Sequence, residues 1–315
     1  MNMKSYELSP AMQNLVYWSG VYTPAGQDIE SVRAAYDAMC EYYTPERDEQ
    51  VSIQDHVVHT AEYDVPVRLY FPEQQSVPEQ GWSCILYMHG GGYVVGGLDS
   101  HEFFIRHLCA DLKVSVVSVD YRLAPEHVFP AAYNDCMAVY QWIKTQSAQW
   151  QINPEKVILA GDSAGGNLST ALAVNLQHTG QQAQGLALIY PGLNTGCDLP
   201  SYVEHAHAPL LSTEDVHFYL KTYAPDEKDW KDTRLAPLNA ADFSDMPASF
   251  ISVAEYDPLR DDGKVLAEHL QQAGIEYSYF EAKGLLHGGL RSLTECPEVQ
   301  TLYQKMVQAI GKMLD

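Results

Sequence analysis

The sequence predicts an α/β protein built on one mostly parallel, eight-stranded sheet with helices on both faces. Three observations predict it. From about residue 54 onward, short β-rich runs alternate with helix-length amphipathic segments, the pattern of a parallel sheet with crossover helices. Several runs, such as VSVVSV at 114–119, are continuously apolar rather than alternating, as in strands covered on both faces. The chain has 315 residues, 46% of them hydrophobic, enough to bury roughly 75% of the surface exposed when unfolded.

Strands are expected at 55–60, 65–71, 84–88, 114–120, 157–160, 186–189, 249–253 and 277–280. The first two have no helix between them, so an antiparallel pair is expected at that edge. Helices are expected near 100–112, 131–146, 164–177, 261–273 and 297–314. Two stretches break the alternation. Residues 1–53 carry a helix-like span at 29–43, and 191–247 hold a helical segment near 213–223 between two strands. A loop that long without structure of its own is rare in a compact domain. Residues 1–53 and 191–247 are therefore expected to fold together as a helical cap over one end of the sheet, on a main domain formed by 54–190 and 248–315.

The 19 Lys plus Arg against 41 Asp plus Glu give a formal charge of −22. That balance disfavours phosphate backbones and anionic lipid surfaces, so neither nucleic acid nor a membrane is expected as a partner. The start, MNMKSYELSP, has one Lys and no apolar core, unlike a secretory signal. The apolar runs are too short to span a bilayer. Cys40, Cys84, Cys109, Cys136, Cys197 and Cys296 lie scattered with no CxxC pair, which argues against a zinc site or disulfide framework and fits the cytoplasm.

Chemistry enters with Gly161-Asp162-Ser163-Ala164-Gly165, between an apolar strand and a helix. This is a G-x-S-x-G nucleophile elbow in its required context. A serine in a sharp strand-to-helix turn needs small neighbours, and the N–H of Ala164 falls at a helix N-terminus, where negative charge is favoured. Asp162, beside the nucleophile, is expected to leave the elbow in another direction and serve a structural hydrogen bond. Upstream, His89-Gly90-Gly91-Gly92-Tyr93 follows a strand directly. Its glycines leave backbone N–H groups uncovered, two of which can join the Ala164 N–H around an oxyanion. His89 is expected to brace that loop.

A serine nucleophile needs a base, and the base an orienting carboxylate. Functional groups collect at the carboxyl ends of strands in open α/β sheets. That rule selects His287, in GLLHGG, and the acidic group Glu255, Asp257, Asp261 and Asp262. Asp257 leads, because it sits just past the strand and precedes a proline; Asp261 and Glu255 stand next. The order Ser163, Asp257, His287 follows one known chain order for a serine triad. His178, His269, His205 and His207 fall in expected helices or the cap and fit less well.

HGGGY at 89–93, DYRLAPE at 120–126, GDSAGG at 161–166, DPLRD at 257–261 and His287 together resemble the hormone-sensitive-lipase family of carboxylesterases. Over about residues 55–315 the chain is similar to its GDSAG subgroup and, in HGGGYVVGGLDSH, to bacterial acetyl esterases. The resemblance implies an α/β-hydrolase fold with a helical cap. It implies Ser163 as nucleophile with Asp257 and His287, and Gly91, Gly92 and Ala164 as oxyanion-hole donors. One departure stands out: members commonly carry an aromatic two residues after the catalytic histidine, where this chain has Gly289. Its absence is expected to change the pocket wall or loosen the loop.

The expected activity is hydrolysis of small-molecule, short-chain acyl esters through an acyl-enzyme, with no cofactor and no metal. Tyr93, Leu210, Leu211, Phe218 and Tyr219 are candidates for an apolar substrate pocket, with plain helix packing as the competing role of the cap residues. The apolar C-terminal helix offers a surface for a homodimer. The same triad permits an amidase or peptidase, and the same fold a non-catalytic ligand binder. The poorer amide leaving group weighs against the first, and the intact triad against the second.

Overall fold

Side-chain alternation along the central strands sets up the layers of the molecule. The structure, a computed structural model, describes residues 6–26, 28–45, 50–73 and 75–315. Residues 1–5, 27, 46–49 and 74 lie outside the described residues, and all but the last fall in the expected cap. The strands are β1 (Val51–His59), β2 (Asp64–Pro72), β3 (Trp82–Met88), β4 (Ser115–Val119), β5 (Ile152–Asp162), β6 (Gly185–Ile189), β7 (Ala248–Tyr256) and β8 (Tyr277–Leu286). They form one sheet in the order β1-β2-β4-β3-β5-β6-β7-β8. β1 and β2 make the expected antiparallel edge, β2 also meets β4 antiparallel, and the rest pair in parallel.

The helices are α1 (Pro10–Val21), α2 (Ile29–Tyr43), α3 (Glu102–Leu112), α4 (Ala131–Gln146), α5 (Ala164–Leu176), α6 (Pro200–Glu204), α7 (Thr213–Tyr223), α8 (Arg260–Ala273) and α9 (Pro297–Leu314). On β3, Cys84, Leu86 and Met88 enter one core, with α4, α5 and α8. Ile85 and Tyr87 enter the other, with α1, α3 and α9. Period-two alternation thus feeds two apolar layers from one strand. The apolar face of α9 (Val299, Leu302, Tyr303, Met306 and Ile310) is buried in the second layer. The surface that suggested a dimer contact is spent within the chain.

Several boundaries differ from expectation. β1 begins at Val51, and β5 at Ile152 rather than 157. The longer β5 passes through Pro154, and its register against β3 shifts between Trp82 and Cys84; a proline is tolerated at such an irregularity. Helix α1 was not foreseen. Its start is marked by Ser9, which accepts the Met12 N–H at 3.4 Å, with Pro10 at the first helical position. Helices α2 and α7 lie where expected. Asp28 caps α2, and Ser212 with Asp215 forms a reciprocal capping box on α7.

The 191–247 segment is tied to α8 by acids that rivalled Asp257 in the sequence. Asp261 accepts the Ser201 N–H at 3.0 Å. Asp262 accepts the N–H groups of Leu193 (2.6 Å) and Asn194 (3.0 Å) and the Tyr202 hydroxyl (3.0 Å) through one oxygen. Its other oxygen is buried without a partner among the described residues. Burial, opposed by those hydrogen bonds and aided by nearby Asp257, pushes the Asp262 carboxyl up to about 8.

A carboxyl raised on folding favours the native state below its unfolded pKa and loses that contribution as pH climbs through the folded value. Native stability is thus expected to decline between about pH 4 and about pH 8 through Asp262. In Asp262→Asn that dependence should flatten. Urea unfolding at pH 5 and pH 8 measures it: the variant gains on wild type at the higher pH, and an equal difference at both excludes the titration.

Candidate active site

Ser163 joins β5 to α5 with φ 55° and ψ −119°, a region L-residues rarely occupy. The turn survives because its neighbours lack side chains. A Cβ on Gly165 would run into the Met88 carbonyl, and one on Gly161 would lie 2.5 Å from the same oxygen. β3, β5 and α5 therefore meet backbone to backbone directly below the serine.

The side chains the sequence singled out come together above this turn. His287 Nε2 lies 2.8 Å from Ser163 Oγ, and His287 Nδ1 lies 2.7 Å from Asp257 Oδ2. Asp257 is fully buried, and its Oδ1 accepts the Leu259 N–H at 2.8 Å. The carboxylate is thereby fixed at both oxygens. Glu255 instead receives the Gly284 N–H at 2.8 Å. Tyr190, at the end of β6, packs its ring against the imidazole with centroids 4.6 Å apart. Sequence reasoning missed Tyr190, although the strand-end rule that found Asp257 applies to it equally.

Peptide planarity aims the glycine loop. His89 Nδ1 lies 2.8 Å from the Gly90 carbonyl, so that nitrogen carries the proton and donates. In a trans peptide the C=O and N–H point opposite ways, so holding Gly90 O directs the Gly91 N–H to the other side. In the same way, the Gly91 carbonyl accepts from the N–H groups of Val94 and Val95, both at 3.0 Å, which directs the Gly92 N–H. Among the described residues no acceptor takes either N–H. Gly91 has φ +127°, and a Cβ there would strike the Val95 carbonyl. Burial, reinforced by nearby His101, lowers the His89 imidazole to about 4, so it braces as a neutral ring stacked on Tyr121 at 4.2 Å.

Asp162 does serve a structural bond, and it locks the loop to the elbow. Its Oδ1 accepts the Gly90 N–H (2.9 Å) and the Tyr87 hydroxyl (2.8 Å), and His101 Nε2 lies 3.3 Å from both oxygens. Burial alone would raise this carboxyl; His101, the Tyr87 bond and Arg291 outweigh it and hold it well below the usual carboxylate range.

Ser163, His287, Gly91, Gly92 and Ala164 all face one cavity of about 530 Å³. Tyr93, Leu210, Leu211 and Tyr219 are in its lining, together with Leu15 and Val16 of α1 and Tyr36 of α2. Phe218 is not in the lining; it is 53% exposed. On α7 the inward face runs through Val216, Tyr219 and Leu220, at i, i+3 and i+4, and Phe218 falls off that stripe. At Gly289 a Cβ would lie 2.6 Å from Leu285 Cδ1 and 3.5 Å from Met12 Sδ. Leu285 and α1 thus crowd position 289, so a side chain there would displace the leucine.

Comparison with known proteins agrees with this architecture. Residues 85–291 match a family model described as alpha/beta hydrolase fold. The carboxylesterase NlhH of Mycobacterium tuberculosis is 35% identical over 288 residues, covering 90% of this chain and 88% of its own. An ethyl acetate hydrolase of Pseudomonas putida is 32% identical over 290 residues, 91% of each chain. A solved Pyrobaculum calidifontis esterase superposes with a TM-score of 0.87 at 28% identity, over 97% of this chain and 99% of that one. Among the described residues no helix is long and apolar enough to cross a membrane. The chain belongs to the alpha/beta hydrolase fold family, among its hormone-sensitive-lipase-like carboxylesterases, and is a carboxylic ester hydrolase.

Proposed function

We propose that Ser163 is the nucleophile in a two-step hydrolysis of short-chain acyl esters, with His287 as general base and Asp257 as its orienting carboxylate. The observation that carries this reading is the unbroken bonded series Asp257–His287–Ser163, at 2.7 and 2.8 Å, opening onto the cavity. His287 Nε2 takes the Ser163 proton as Oγ attacks the ester carbonyl carbon. Asp257 orients the imidazole and stabilises the imidazolium through the Nδ1–H bond. The oxyanion accepts hydrogen bonds from Gly91, Gly92 and Ala164, donors that need no rearrangement. Collapse expels the alcohol, which takes its proton from His287. Water, deprotonated by the same imidazole, then attacks the acyl-enzyme and releases the acid.

The short-chain preference is supported by cavity size, ordinary for a small-molecule site, and by the Pseudomonas putida relative, whose name specifies ethyl acetate. Residues 1–53 and 191–247 form the cap in this reading. It is supported by the share that Leu15, Val16 and Tyr36 on one side, and Leu211, Val216 and Tyr219 on the other, take in the cavity wall. All six cysteines are unpaired, which supports a reducing, cytoplasmic setting.

Ser163→Ala should lower kcat by about five to six orders of magnitude with an unchanged circular dichroism spectrum. Residual turnover above one hundredth of wild type would remove the serine from the mechanism. Asp257→Asn should lose about 10⁴-fold in kcat, whereas Asp261→Asn, a test of the rival acid, should retain activity near wild type. Across acetyl, butyryl and palmitoyl esters of one phenol, kcat/KM should be highest for the two short chains, and a maximum at palmitoyl contradicts the short-chain reading.

A further inference from the structure

Arg33, Arg68, Arg122, Arg234 and Arg260 each pair with at least one carboxylate. Arg291, in the cavity wall, pairs with none among the described residues. Its guanidinium donates to the Ser100 carbonyl at 3.1 Å and the Tyr36 hydroxyl at 2.5 Å, and lies over the Tyr36 ring, 4.8 Å from the centroid. Arg291 is only 7% exposed. Asp162 shares this corner and offsets part of the charge through space, but Tyr87, Gly90 and His101 already occupy its oxygens.

A guanidinium offers five N–H donors in a planar fork, and two of the groups it meets are a carbonyl and a phenol rather than an anion. A buried charge without a bonded counter-charge is costly, and it marks a place where an anionic ligand group would gain most. The rest of that wall is largely apolar, with Leu15, Val16, Met39, Phe103 and Leu290. We propose that Arg291, assisted by the Tyr36 hydroxyl, forms an anion subsite, and that the enzyme favours small esters carrying a free carboxylate. The carboxylate sits on the acyl part, as in half-esters of short dicarboxylic acids, or on the alcohol part, as in acylated hydroxy acids; both use the same fork. The formal charge of −22 repels such substrates at long range, but that field is screened beyond about 8 Å at physiological salt.

This inference rests on Ser163 acting in the same cavity, so neutral esters serve as the internal reference. The test measures kcat/KM in 0.15 M NaCl for ethyl hydrogen succinate against ethyl butanoate, and for O-acetylglycolate against ethyl acetate. In Arg291→Met, the ratio of carboxylated to neutral ester should fall about 10- to 100-fold for at least one pair, mainly through KM. Arg291→Lys should lie between, because it keeps charge without the fork. Tyr36→Phe, which removes one hydroxyl, should lower the same ratio less and serves if Arg291→Met does not fold. Equal losses on both members of each pair, or unchanged ratios, would reduce Arg291 to a structural tie and overturn the subsite. Wild type that hydrolyses neither member of either pair would instead count against the Ser163 reading.

Discussion

The backbone of Ser163 is held in a conformation that costs of order 1–3 kcal/mol for a residue with a side chain, and the neighbouring structure is organised to keep it there. Three backbones converge below it, those of β3, β5 and α5, with Gly161 and Gly165 allowing an approach no other residue permits. The strain is met by parallel pairing of β5 with β3 and β6, and the Ser163 N–H is bonded to the Ile189 carbonyl at 2.9 Å. Because the turn is rigid, the direction of Oγ is set before any substrate arrives.

Electrostatics around the turn follow from burial. Asp162 is ionised in the interior because Tyr87, Gly90 and His101 pay its desolvation with hydrogen bonds and charge. His89 meets the same burial as a neutral ring, since no carboxylate bonds to it. One group stays charged and the other uncharged, and both outcomes fix the same loop. The carboxylate holds the Gly90 N–H and the imidazole holds the Gly90 carbonyl, so one peptide unit on each side of Gly90 is gripped.

What could be read from the sequence was what local backbone chemistry determines. The elbow and the glycine loop were legible because the glycines, the serine and the flanking strands are contiguous. Asp257 and His287 were legible because strand ends collect functional groups, which made two distant segments comparable. Tyr190 obeyed that rule too but carried no motif. Phe218 and Tyr219 are adjacent aromatics, and only tertiary packing sets the phase of α7 that turns one inward. Tyr36 and Arg291 have no local signature, because their meeting depends on α2 crossing over a segment 255 residues later in the chain. Pro154 masked the start of β5, where a register shift accommodates it.

The packing of α1 on the turn after His287 has a consequence for how the protein is made. Met12 and Leu15 are buried in a core shared with Leu285, Leu286 and Leu290, so α1 leaves the ribosome long before β8, the last strand of the sheet, arrives to cover its buried side. Synthesis runs at about 5–20 residues per second, which leaves that helix without its partner for some tens of seconds. A chain stalled before Leu285 leaves Met12 and Leu15 uncovered, and the part of the cavity wall that Leu15 and Val16 supply has nothing to pack on.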